Sequence, residues 1–157
     1  MITPAQWMGL CGRTESDLPQ AWPYIMWVVR NRVESKRILF GVTPEKIAAG
    51  IAYESVILHP DQFSAFNGVT GSPNEIYQKV KARHLHLLAA AEACAEWVLA
   101  TPMSGSPVSS RTYYFWAPQS MKPPGRLPPW NWSILRRFCP TPLIDPQHLT
   151  MAEEIRR

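Results

Sequence analysis

Two short stretches carry the residues that could do chemistry. In GRTESDLPQ, Glu15 falls where a helical pattern ends and a proline-containing loop begins. A carboxyl group at the end of a buried helix, among apolar neighbours, has its charged form disfavoured, and that environment makes a general acid near neutral pH. The plainer reading is a solvated helix end, as most glutamates are. Asp17 follows two positions later and on a helix would face away from Glu15 rather than pair with it. In HPDQFSAFN, residues 59 to 67, Phe63 and Phe66 are interleaved with the uncharged polar side chains of Gln62, Ser64 and Asn67. Asp61 stands at the entrance and Gly68 makes a turn afterwards. The mixture suits a ligand with flat apolar faces and neutral polar edges; a plain core is the other reading of the two phenylalanines.

Other chemistries lack their residues. His84 and His86 are two apart on an expected helix and point in different directions, which spoils a metal pair. Cys11, Cys94 and Cys139 are widely spaced and odd in number, so neither a disulfide framework nor a zinc site is expected, and no metal or cofactor is implied. There is no Gly-rich phosphate loop and no G-x-S-x-G nucleophile elbow. The balance of 16 basic against 12 acidic residues gives a net charge of +4. The basic residues are scattered apart from short pairs such as Arg136-Arg137 and Arg156-Arg157, which is no nucleic-acid stripe but fits attraction to an anionic polymer.

The elements that must position these residues are mostly helical. With 157 residues, 46% apolar and 18% charged, the chain has the length and composition of one globular domain. Pro4 after Thr3 opens a helix over 4–15 with Trp7, Met8, Leu10 and Cys11 on its apolar stripe. A second helix is expected over 20–35, carrying Trp22, Ile25, Met26, Val29 and Val33 on one face. Thr43-Pro44-Glu45 caps a short helix to about residue 53. Ser72-Pro73-Asn74-Glu75 has the spacing of a capping box and opens a long helix, with Ile76, Val80, Leu87, Leu88, Ala91, Ala95 and Val98 on one face. Residues 59–67 read as extended or looped, and 111–116 as an extended run. Half of the 16 prolines then fall between Pro118 and Pro146, together with Trp130 and Trp132. Proline excludes regular helix or a central strand there, so a belt wrapped over the domain with its tryptophans pinned inward is expected. Residues 149–157 are expected to close the chain as a short helix. The longest apolar run, Ala21 to Val29, is too short to span a bilayer, and no signal peptide is evident at the N-terminus.

Taken in order, VVRNRVES, HPDQFSAFN, TYYFWAP and RRFC resemble the cell-wall hydrolases of the SleB type, the spore cortex-lytic and phage peptidoglycan-cleaving enzymes. That family carries a glutamate motif closing its first helix, NRV on the second, QFS followed by an aromatic and Asn, and a late YYF strand. The resemblance covers roughly residues 5 to 140. It implies that Glu15 is the catalytic glutamate, that Asn31 and Arg32 match NR, and that Gln62, Phe63, Ser64 and Asn67 match the QFS segment. Thr112, Tyr113 and Tyr114 match the late strand. Two departures stand out: the family's acidic GEARGE stretch is shortened here to ESDLPQA, leaving Asp17 as the nearby acid, and its terminal Gly-His reads WSILRRF.

The resemblance implies a lysozyme-like α+β domain, mainly helical, with a small β or loop lobe. Its substrate would be the glycan strands of bacterial peptidoglycan. Phe66, Tyr113, Tyr114 and Trp116 would offer stacking platforms, and Gln62, Ser64, Asn67 and Asn31 orienting hydrogen bonds. Ordinary glycoside hydrolysis wants two carboxyl groups about 5 to 9.5 Å apart, and only Asp17 or Asp61 could supply the second. A lone glutamate suffices if the substrate's own hydroxyl attacks, as in lytic transglycosylases. A non-catalytic glycan-binding or virion module is the alternative from another class. The expected setting is a monomer made in a host cytoplasm and delivered by a holin or by a virion, without nucleic-acid binding or membrane insertion.

Overall fold

The computed structural model describes residues 1–155. Helix α1, Pro4–Glu15, starts as its sequence requires: Thr3 Oγ1 accepts from the Gln6 N–H, and Gln6 Oε1 accepts from the Thr3 N–H at 2.8 Å, a reciprocal capping box. Its Trp7, Met8, Leu10 and Cys11 are buried, and α2 (Trp22–Ser35), α4 (Ala52–Leu58), α5 (Pro73–Ala82) and α6 (Leu88–Ala100) all touch it. A 3-10 turn, Pro19–Ala21, leads into α2, two residues later than expected. No helix among the described residues is long and apolar enough to cross a membrane.

Two expected helices are each broken in two. The one opened by Thr43-Pro44 ends as α3, Pro44–Ala48, because Gly50 takes a left-handed φ of 74°. The Gly50 and Ile51 N–H groups donate back to the Ile47 and Lys46 carbonyls, the paired bonds that close a helix over a glycine, and α4 restarts beyond. The long helix from Pro73 stops at Ala82, and Leu87 adopts a left-handed φ of 64° before α6 begins. Nothing local in HLHLL announces this. The Arg13 guanidinium on α1 reaches across to this link, its Nε donating to the His86 carbonyl.

The sheet is small and antiparallel, in the order β1–β3–β2, from β1 (Thr112–Trp116), β2 (Leu135–Phe138) and β3 (Thr150–Glu154). The molecule is therefore α+β and mainly helical. β3 corrects the expected terminal helix. Thr, Met, Ala and Glu suit a helix by propensity, but strands on both sides satisfy the backbone of β3 and bury Met151 and Ala152 completely. Residues 156–157 of that expectation lie outside the described residues. Between β1 and β3 the register slips at Tyr113, a bulge that brings both Tyr113 and Tyr114 against Phe40. The proline-rich belt is tied down twice: Ile144 and Leu149 pack on Ala21 and Ile25, while Trp130 and Trp132 pack around Trp116.

The closest helix contact generates a test. A Cβ on Gly9 would lie 2.8 Å from the backbone Cα of Glu92 in α6, whereas on Gly12 it would meet only the Met26 methyl end. Alanine in a helix interior is otherwise favoured over glycine by about 0.5–1 kcal/mol. At Gly9 the overpacking, of order 1–3 kcal/mol, wins because backbone must move. Gly9→Ala is expected to lower unfolding stability in urea and Gly12→Ala to leave it nearly unchanged; equal stability of the two variants would contradict this packing.

Candidate active site

A cleft of about 520 Å³ opens where the end of α1, the middle of α2, the 59–67 loop, β1 and the belt converge. Glu15 is the last residue of α1, and the helix end is held firmly. The Ser16 N–H donates to the Gly12 carbonyl at 3.1 Å, and the Trp22 indole donates to the Ser16 carbonyl at 2.9 Å. The Glu15 side chain lines the cleft, yet its Oε1 is shut away from solvent without a hydrogen-bond partner. Burial pushes its pKa up from 4.5 to about 7, against a smaller lowering by the Arg32 charge. Cys11, one turn back along α1, has its thiol pushed well above the usual range, by burial first and then by the Glu15 charge.

Arg32 is the principal electrostatic neighbour. It is 4% exposed, and burial lowers its own pKa to about 10. Its Nε donates to the Tyr113 carbonyl at 2.8 Å, and Nη1 to Gln62 Oε1 at 3.0 Å. The guanidinium also stands 5.1, 5.3 and 5.7 Å from the ring centres of Phe40, Phe63 and Tyr114. The bulge at Tyr113 thus has a use: the strand carbonyl there receives the buried cation. None of the hydrogen bonds or ion pairs among the described residues joins Arg32 to Glu15, so the cation eases ionisation of the acid without holding it ionised.

The expected site residues separate into those the fold brings to the cleft and those it places behind it. Glu15, Asp61, Gln62, Ser64, Asn67 and Tyr114 line it. Gln62 is partly committed, its carbonyl oxygen to Arg32 and its amide to the Pro60 carbonyl. Asn67 Oδ1 accepts from the Asp61 N–H, and Asp61 has a left-handed φ of 63°. Phe66 lies in the core against Trp7, with Phe63 beneath Arg32 and stacked on Phe115. Tyr113 is buried against Phe40 and Arg37. Asn31 is buried and donates to the Ser109 and Thr112 carbonyls, tying α2 to the start of β1. Asp17 is exposed and pairs with Arg13 at 2.8 Å, outside the main cleft but on a side pocket shared with Glu15. His84 and His86 fall in the non-helical link between α5 and α6, and no cluster of metal-binding side chains occurs among the described residues.

Further lining comes from the belt. Trp130 packs 4.7 Å from Tyr114 and edge-on to Trp116 at 5.5 Å, forming an aromatic wall; Ser120, Met121 and His148 complete that side. Spacing could not have found them, because they reach the cleft only once the sheet has closed. Trp116, expected as a platform from the TYYFWAP run, lines the cleft but is 8% exposed and packs edge-on against Trp130 and Trp132. The arrangement can supply one proton-donating acid, a buried cation beside it, ring faces and neutral hydrogen-bonding groups.

The raised pKa of Glu15 has a stability consequence with a defined sign. Below about pH 4 the carboxyl is protonated folded and unfolded alike. Between 4.5 and about 7 the unfolded chain releases the proton while the native state keeps it, so native stability falls as pH rises. At ~1.4 kcal/mol per tenfold change in proton affinity, the full cost above pH 7 is about 3 kcal/mol. Glu15→Gln is therefore expected to gain on the wild type by about that amount between pH 4 and pH 8, measured by urea unfolding at each pH. A difference that does not change with pH would mean that Glu15 is an ordinary exposed carboxylate.

Comparison with family models, with curated proteins and with solved structures found no match to this chain.

Proposed function

We propose that this chain is a peptidoglycan-degrading glycosidase with a lysozyme-like cleft, cutting the MurNAc–GlcNAc bond as a lytic transglycosylase. The observation that carries the reading is Glu15 at the end of α1, its Oε1 shut away from solvent and its pKa pushed up by burial to about 7, opening on a cleft of aromatic faces and neutral polar groups. Sugar rings offer C–H faces to Tyr114, Trp116 and Trp130, and hydroxyls and amides to Ser64 and Asn67. The other acid on the cleft, Asp61, is exposed and lies on a strained turn rather than in a buried setting.

The mechanism uses one acid twice. Glu15 gives its proton to the glycosidic oxygen as the C1–O bond breaks, releasing the GlcNAc 4-hydroxyl. The 6-hydroxyl of the same MurNAc then attacks C1, forming the 1,6-anhydro ring and returning its proton to the Glu15 carboxylate. No water is consumed. Arg32 steadies the carboxylate in the interval, which is the sense of its lowering effect on Glu15. The mild positive charge favours approach to an anionic wall. A phage lysin, reaching the wall through a holin or on the virion, is the setting we infer.

Hydrolysis is the second reading, favoured by the place of Asp61 on the cleft lining and of Asp17 on the adjoining pocket. Purified peptidoglycan incubated with the wild type is expected to yield anhydro-muropeptides by mass spectrometry, and none with Glu15→Gln. Asp17→Asn and Asp61→Asn are expected to retain activity. Reducing-end products lost on substitution of either aspartate would establish hydrolysis instead. Glycan binding without soluble products from the wild type would make the chain a binding module.

A further inference from the structure

The cleft does not end at Glu15. A second pocket of about 310 Å³ shares Glu15, Ser16, Ala117, Ser120 and His148 with it, and adds Asp17, Leu18 and Gln119. Glu15 thus stands at a junction between two compartments of different chemistry. Only the first holds Tyr114, Trp116 and Trp130; Ser16, Ser120 and His148 line both, and the second adds the Gln119 amide, the Asp17 carboxylate and the Leu18 side chain.

His148 is exposed, but it is held in place. The Gln119 side-chain Nε2 lies 2.7 Å from His148 Nδ1. An amide nitrogen can only donate, so Nδ1 accepts and the ring's remaining proton sits on Nε2 as a donor. The backbone is fixed as well: the His148 and Leu149 N–H groups donate to the Asp145 carbonyl, and the Gln119 N–H donates to the Gln147 carbonyl. Asp145 Oδ1 accepts from the Gln147 N–H and closes the turn. A preorganised donor of this kind loses little freedom on binding.

We propose that this polar compartment is a saccharide subsite that continues the cleft past Glu15, with His148 as its specificity-determining donor and Gln119 as the residue that positions it. The subsite takes a neutral oxygen acceptor of an N-acetylated sugar, an acetamido carbonyl or a ring hydroxyl. This rests on the glycosidase reading for its place in catalysis, although binding itself does not require turnover. A substrate then spans Glu15, and the bond lying over the carboxyl is the one cleaved.

The test uses tetraacetylchitotetraose as probe and Glu15→Gln as the background, so that binding is read without cleavage. Calorimetry is expected to show binding, weakened about five- to thirtyfold by adding His148→Ala and less by adding Gln119→Leu. On peptidoglycan, His148→Ala with Glu15 intact should raise KM by a similar factor while kcat changes less than about threefold. Unchanged binding in the His148→Ala background, or no binding of the probe at all, overturns the subsite. So does a kcat loss of a hundredfold or more at constant KM, which would place His148 in the chemical step. Binding that depends on His148, with no muropeptide released by the wild type, leaves the subsite standing and sinks the enzyme reading; muropeptide release indifferent to His148 does the reverse.

Discussion

Everything in this cleft depends on how a buried guanidinium and a half-buried carboxyl share one poorly solvated space without bonding to each other. A direct ion pair would hold Glu15 ionised and useless as an acid at neutral pH. Complete isolation would make the carboxylate left after proton transfer too costly. Arg32 is instead engaged elsewhere, by the Tyr113 carbonyl, the Gln62 oxygen and three ring faces, and acts on Glu15 through its field. Desolvation is the larger of the two effects on Glu15, which leaves it balanced near 7.

That balance explains the surrounding architecture. The cation has to be brought under the cleft by α2, so Asn31 anchors the same helix turn to the start of β1. The strand bulge presents the carbonyl at Tyr113, while the 59–67 loop turns Gln62 inward and sends Phe63 and Phe66 into the core. The belt then covers the sheet and adds Trp130 and His148 to the rim. Asn31, Arg32, Phe63 and Phe66 support the cleft from behind, and Glu15, Ser64, Asn67 and Tyr114 face into it. A residue can belong to a functional constellation by holding a cation in place.

Much of this was legible before any coordinates, and for identifiable reasons. The capping residues Thr3, Thr43 and Ser72 declared their helices because an N-cap is a local bond between neighbours. Glu15 was legible as the end of an apolar stripe. The break at Leu87 was not, since the link's contact is with Arg13, distant in sequence, and the strand character of 150–154 was not, since two flanking strands override helix propensity there. Gly50 could have been read, because a glycine after a short capped helix is a common stop signal. The roles of Trp130 and His148 are tertiary: proline-rich sequence says where regular structure is excluded, and nothing about which side chains it folds inward.

The most direct measurement is a titration of the Glu15 side-chain carbonyl by carbon-13 NMR, using protein labelled at glutamate and assigned by Glu15→Gln. The account predicts a midpoint near 7, rising further in Arg32→Met because the neighbouring cation that lowers it is gone. A midpoint near the ordinary 4.5, unmoved by the loss of Arg32, would contradict it: Glu15 would then be ionised at neutral pH and unable to give the proton on which the proposed reaction depends.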